Sequence, residues 1–212
     1  MTATELRPPL GPLPGWDALR WLRSRIRLRP GRTLVGVDGL AGSGKTTFAD
    51  ELGALISECG LEVVRIPLDP YLTPGEPATV TAEAFDAVVE DVLQPLGAGG
   101  SGRYRRPPAG DAVGRWACVP EEAVVIVDGL FLHHPSLAAA GSPRTWDFSV
   151  WLEVPIEQAY ARLHQLRGSD PDPRSPSSLP SATVQLQYID ACDPAGHADL
   201  VVDNSRPHAS TD

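Results

Sequence analysis

Lysine is almost absent from this sequence: of 18 basic residues, 17 are arginine, and Lys45 stands alone. Cysteine occurs three times, at Cys59, Cys118 and Cys192, far apart and with neither a CxxC pair nor a metal-ligand spacing. That pattern excludes a disulfide framework and fits reduced thiols in a cytosolic chain. A basic surplus is missing as well. The formal net charge is −9, which argues against broad binding to nucleic acid or to an anionic membrane. No apolar run approaches the ~20 residues that span a bilayer. The first residues, with Thr2, Glu5 and Pro8-Pro9, lack the basic-then-apolar order of a secretory signal. These absences together point to a cytoplasmic protein.

What is present suits one sizeable α/β domain: 212 residues, 42% of them hydrophobic. Proline is plentiful, with 22 residues concentrated near the start and around 170–180, so residues 1–14 and the stretch Gly168–Pro180 are expected to be irregular. Arg20, Arg23, Arg25, Arg27, Arg29 and Arg32 form a run without an acid, which reads as a solvated helix face and its exit. Trp16, Leu19, Leu22 and Ile26 share one face of that helix. Apolar strands are expected at Thr33–Val37, Glu62–Leu68, Ala123–Val127, Trp146–Leu152 and Ala198–Val202. Helical spacing fills the intervals at 45–56, Ala82–Leu96, Pro155–Arg167 and Thr183–Ala191. Strands that alternate with helices and read as continuous apolar runs imply a mostly parallel sheet flanked by helices on both faces. Ligands of such sheets bind beyond the C-terminal ends of the strands. Asp38, Asp69 and Asp128 fall at those ends and are expected to converge.

Gly39-Leu-Ala-Gly-Ser-Gly44-Lys45-Thr46 satisfies G-x-x-x-x-G-K-[ST]. Its glycines let the backbone curl until successive N–H groups point at phosphate oxygens, and the helix that starts at Lys45 adds its positive end. Gly39, Ala41, Gly42, Ser43, Gly44, Lys45, Thr46 and Thr47 are therefore the expected nucleotide-binding set. Lys45 would reach the β- and γ-phosphates of ATP, and the Thr46 hydroxyl would ligate Mg²⁺. That the only lysine stands here sharpens the reading, because a compact ammonium is the side chain this loop wants. Asp128 closes an apolar strand, the Walker B arrangement, and joins Thr46 as the expected metal set. Asp69 also ends a strand and can accept the proton of an attacking hydroxyl. Asp38 either holds a water and substrate near the metal or caps the loop. His133-His134 reads as a surface pair, and the five tryptophans read as packing residues, except that Trp116, beside the arginine-rich excursion, fits either packing or a base-stacking platform.

The runs Val35–Ala49, Asp69-Pro-Tyr71 and Val125-Ile-Val-Asp-Gly-Leu-Phe131 resemble the uridine kinase branch of the P-loop kinases, whose cousins include phosphoribulokinase and bacterial pantothenate kinase. Gly102-Arg-Tyr-Arg-Arg106 and the ending Ala198–Asn204 are similar to segments of bacterial uridine kinase-like proteins. The resemblance covers roughly residues 33–204. It implies a three-layer P-loop NTPase fold and transfer of the ATP γ-phosphate to a hydroxyl, with Asp69 and Lys45 catalytic. It also implies a lid at about 162–181 whose Arg162 and Arg167 hold the phosphoryl group. On the acceptor side it places Asp38, Tyr71, Tyr104 and Arg106, with Asp111 near them. The expected division is an N-terminal segment and helix over 1–32, a kinase domain over 33–205 and a tail over 206–212. The acceptor is a small molecule, nucleoside-like by resemblance. The arginines at 103–106 keep an anionic acceptor such as pantothenate or a sugar phosphate open, and a non-catalytic nucleotide switch is the remaining alternative. No nucleic-acid or membrane partner is expected, and a homo-oligomer is compatible with the sequence.

Overall fold

The computed structural model describes residues 11–26, 30–72, 80–107, 114–138 and 145–206. In chain order its strands are β1 (Leu13–Pro14), β2 (Thr33–Gly39), β3 (Glu62–Pro67), β4 (Arg103–Arg105), β5 (Trp116–Cys118), β6 (Ala123–Asp128), β7 (Phe148–Glu153) and β8 (Leu200–Asp203). Six of them form a parallel sheet in the order β1-β8-β7-β2-β6-β3, and β4 pairs with β5 in a small antiparallel ladder. The helices are α1 (Gly15–Ile26), α2 (Lys45–Ser57), α3 (Asp69–Leu72), α4 (Ala82–Val88), α5 (Gln94–Leu96), α6 (Ile156–Arg167), α7 (Leu179–Cys192) and α8 (Pro194–His197). The expected α/β class and mostly parallel sheet are what the chain forms.

Strand β2 lies between β6 and β7 and is buried along its whole length. Its side chains alternate between two cores, as the period of two requires. Val35 and Val37 face Leu19, Leu22, Phe48, Leu52 and Ile56 of α1 and α2. Leu34 joins the opposite core, which holds Val88, Val92 and Leu96 of the α4–α5 segment and Tyr188 of α7. Helices thus cover both faces, giving three layers. Gly36 lets Trp146 lie flat on the strand: an added Cβ would stand 2.7 Å from its ring.

Several details depart from the sequence reading. Leu13–Pro14 is not irregular but adds a sixth strand, with Leu13 opposite Val202. Proline is tolerated there because an edge position needs no ladder donor on its outer side. The helix expected over Ala82–Leu96 carries a π-turn at Val89–Leu93. Helix α7 starts four residues before the expected Thr183, because Pro180 lies in its first turn, where a missing N–H costs nothing. Arg25 is not on a solvated face: it is only 9% exposed and its guanidinium lies over the Trp21 ring. Arg27, Arg29 and Asp111 lie outside the described residues.

Candidate active site

The parallel register brings the tips of β2, β3 and β6 to one edge. Val37 is paired with Asp128, and Pro67 is paired with Asp128 on the other side. The chain leaves β2 through Gly39–Gly44, a loop crowded against its neighbours. Gly42 has φ +81°, and a Cβ there would stand 2.2 Å from the Ala159 carbonyl oxygen. Gly44 has φ +94°, and its Cβ would meet the Asn204 amide at 2.7 Å. Both positions demand glycine on conformation and on space. Helix α2 begins directly after Gly44, so its first N–H groups, with no carbonyl a turn earlier, face the loop.

Lys45 lies folded back into this loop. It is 7% exposed, and its ammonium donates to the carbonyls of Gly39 and Leu40, each at 3.0 Å. Burial pushes the Lys45 ammonium below its ordinary pKa, while the charges of Asp69, Asp38 and Asp128 pull it back up and Arg167 adds to the lowering. One ammonium therefore feels all three strand-end carboxylates. Asp69 acts on it most strongly of the three.

Thr46 and Thr47 are exposed at the start of α2. The Thr46 hydroxyl donates to Asp128 Oδ2 at 3.1 Å, joining the helix to the tip of β6. Asp128 is 4% exposed, and its second oxygen accepts from Arg65 of β3 at 2.7 Å. Asp69, at the start of α3, accepts the Leu130 N–H at 3.1 Å through Oδ1. No group of three or more His, Cys, Asp or Glu side chains suited to a metal occurs among the described residues. One hydroxyl and one carboxylate are nevertheless a fitting donor set for Mg²⁺, which takes one or two protein ligands and fills its octahedron with phosphate oxygens and water.

Asp38 departs from the expected substrate contact. It is 0% exposed, and both oxygens are engaged inside the protein. Oδ1 accepts the Gly39 N–H at 2.7 Å, whereas Oδ2 meets the His133 N–H at 3.3 Å, His133 Nδ1 at 3.0 Å and the Tyr188 hydroxyl. Burial, and then the charge of Asp38, pushes the Tyr188 phenol well above its usual range. His133 is not a surface residue either; its side chain is 7% exposed. The turn that delivers it passes through Phe131 at φ +66°, a strained backbone for an aromatic residue. The neighbouring His134 stacks on Phe85 with ring centroids 4.4 Å apart.

The loop's carbonyl side is braced from the end of the chain. Asn204 donates to the Ser43 carbonyl at 2.6 Å. Arg162, expected over the phosphates, instead donates to the carbonyls of Ser43 at 3.4 Å, Asn204 at 2.8 Å and Ser205 at 3.3 Å. Arg167 is exposed at the end of α6. Gln185 of α7 accepts the Ala41 N–H at 2.7 Å, which withholds that amide from a phosphate. Apart from Asp38, the residues expected on the acceptor side lie near one another. Tyr71 donates to the Arg105 carbonyl at 2.7 Å, Tyr104 is buried beneath the β4–β5 ladder, and Arg106 is exposed on it. Burial, then neighbouring Tyr104 and Asp91, raises the Tyr71 phenol. Trp116 is not packed away: it is 53% exposed, with Arg103 over its ring.

Arg65, Gln185 and Tyr188 were not singled out by motif, while His133 was read as a surface residue and Asn204 only as the close of a family-like ending. Only Arg65 carried a usable signal, a charge inside an otherwise apolar strand, which needs a partner when buried.

The architecture has clear counterparts among solved structures. A possible uridine kinase from Bacillus stearothermophilus superposes with a TM-score of 0.61 at 18% identity, over 89% of this chain and 98% of that one. The chain has the fold of the P-loop kinases. A candidate fructose transport system kinase from Silicibacter sp. TM1040 matches with a TM-score of 0.60 at 26% identity, again over 89% and 98%. Shikimate kinase from Acinetobacter baumannii, in complex with shikimate, gives a TM-score of 0.50 at 13% identity over 87% and 89%. No protein-family model and no curated protein matches the sequence. No described helix of this P-loop kinase fold is long and apolar enough to cross a membrane.

Proposed function

We propose that this protein transfers the γ-phosphate of ATP to a hydroxyl group of a small-molecule acceptor. The observation that carries the reading is the placement of Lys45, Thr46, Asp69 and Asp128 at one edge of the sheet: Thr46 donates to Asp128, Asp69 accepts the Leu130 N–H just past the β6 tip, and Lys45 lies folded into the adjoining loop. Phosphoryl transfer asks the protein mainly to position two oxygens and to neutralise charge. Lys45 leaves the carbonyls of Gly39 and Leu40 and moves to the β- and γ-phosphates, while the N–H groups at the start of α2 bind the same anion. Thr46, backed by Asp128, would hold Mg²⁺, which supplies charge neutralisation between the phosphates. Asp69 orients the acceptor hydroxyl and takes its proton as the oxygen attacks. Arg167, at the start of the Gly168–Pro180 loop, closes over the transferred group. The kinase unit then includes β1 and α1 along with residues 33–205, carries its lid at about 162–181 and works in the cytoplasm.

The acceptor sits between Asp69 and the β4–β5 ladder, against Tyr71, Tyr104 and Arg106. A nucleoside-like acceptor follows from the resemblance to uridine kinases. The exposed Arg103 and Arg106 favour a second reading, in which the acceptor carries its own negative charge.

Asp69→Asn tests the reading. Turnover should fall by about a hundredfold or more while ATP affinity stays within roughly threefold of wild type. A variant that turns over ATP at the wild-type rate removes Asp69 as the base. ATP consumption measured against nucleosides, pantothenate and sugar phosphates separates the acceptor classes. ATP binding without transfer to any of them returns the protein to a nucleotide switch.

A further inference from the structure

The strand β3 carries one charge toward the nucleotide loop. Arg65 stands two residues before Pro67, the register partner of Asp128, so its side chain lies on the same face of the sheet as that carboxylate. On the facing helix α2, Thr46 and Asp50 are four residues apart and share one side. The guanidinium fills the space between them. Nη2 donates to Asp128 Oδ1 at 2.7 Å, and Nη1 donates to Asp50. Arg65 is 22% exposed against 4% for Asp128 and 67% for Asp50, so the pair with Asp128 is the shielded one.

We propose that Arg65 is a positioning residue that keeps Asp128 from binding a divalent cation by itself, so that the site accepts the metal only together with the nucleotide. This rests on the kinase reading of the same site. Asp128 has two oxygens: Oδ2 holds the Thr46 hydroxyl and Oδ1 holds Arg65. A divalent cation approaching without phosphates meets a carboxylate already neutralised by a guanidinium, and it must also give up tightly held water. The triphosphate reverses the balance, because it brings both negative charge and most of the metal's oxygens. Thr46 is then presented at a fixed angle by an Asp128 that Arg65 has anchored to β3 and, through Asp50, to α2.

The test uses Mn²⁺ as the probe, with free Mn²⁺ followed by electron paramagnetic resonance on the full chain. Wild type should bind Mn²⁺ with ATP and show little affinity without it. Arg65→Met should bind nucleotide-free Mn²⁺ at least about tenfold more tightly, because Asp50 and Asp128 lose their counter-ion. Arg65→Lys should restore the wild-type pattern, and adding Asp128→Asn to Arg65→Met should abolish the gain. A folded Arg65→Met protein that binds Mn·ATP and gains nothing in its absence overturns the proposal. If Arg65→Met fails to fold, Arg65→Gln, which keeps a donor without the charge, carries the same test. Wild type that fails to bind Mn·ATP at all overturns the kinase reading first, and this proposal with it.

Discussion

Asp38 is held by three residues: Gly39 beside it through its amide, His133 from 95 residues away through its N–H and ring, and Tyr188 from 150 residues away. A buried carboxylate stripped of one such donor keeps the desolvation penalty, so Tyr188→Phe should cost roughly 1–3 kcal/mol in denaturant unfolding. The same pair sets a pH limit. The Tyr188 phenol is raised above its ordinary 10.0, chiefly by burial and next by Asp38. A group whose folded pKa exceeds its unfolded value stabilises fully below the unfolded value, and that contribution is lost as pH rises above it. Stability should therefore fall as pH climbs past about 10. Tyrosinate absorbance should show Tyr188 ionising only with unfolding, and Tyr188→Phe should flatten that alkaline decline. Asp38 was visible in the sequence as a strand-end acid, but its role was not. A local pattern places a carboxylate at a strand tip, whereas its partners depend on how β6 and α7 pack.

Among the elements, the Gly39–Thr46 loop was the most legible because its chemistry is local: a turn, a cation and a helix start lie in consecutive residues. The strands β2, β3, β6, β7 and β8 were legible through their apolar runs to within two residues at either end. β1, β4 and β5 escaped because two or three residues carry no periodicity. Arg162 was placed correctly on α6 but directed wrongly. Sequence fixes its helix, while its orientation follows from the carbonyls of Ser43, Asn204 and Ser205. The crowding of the loop yields a comparison within one molecule. Gly42 and Gly60 have similar backbones, at φ +81° and +78°, but a Cβ at Gly60 would meet nothing within 4 Å. Gly60→Ala should cost about 1–2 kcal/mol for the left-handed backbone alone. Gly42→Ala adds a clash with rigid backbone and should cost ~2–4 kcal/mol. It should also weaken ATP binding, which Gly60→Ala should leave unchanged. Thermal melts and nucleotide titrations of the two variants separate the contributions.

At the scale of the whole molecule, α1 belongs to the core that supports the nucleotide loop, although it lies outside the motifs that resemble uridine kinases. Ala18, Leu19, Leu22 and Ile26 are buried in one cluster with Phe48, Ala49, Leu52 and Ile56 of α2. Leu22 is 0% exposed. Leu22→Ala should lower unfolding stability by ~2–5 kcal/mol. Because α2 presents Lys45 and Thr46, ATP affinity should weaken in the same variant, as calorimetric titration can measure. Fold class was legible at this scale because alternating strands and helices leave few alternatives. The sheet order, which decides that Asp69, Asp128 and Lys45 meet, was not, since it is set by which faces pack and not by any single segment.

The brace that Asn204 places on Ser43, 161 residues earlier, has a consequence for biosynthesis. A ribosome delivers the Gly39–Thr46 loop well before this brace, which follows 161 residues later. Until β8 and Asn204 have emerged, the Ser43 carbonyl has only Arg162 of its two described side-chain donors, the Asn204 amide does not yet fill the space beside Gly44, and β1 lacks its described partner strand. The nascent chain thus displays this loop well before its Asn204 brace exists, and the loop takes its final shape only once β8 has joined the sheet.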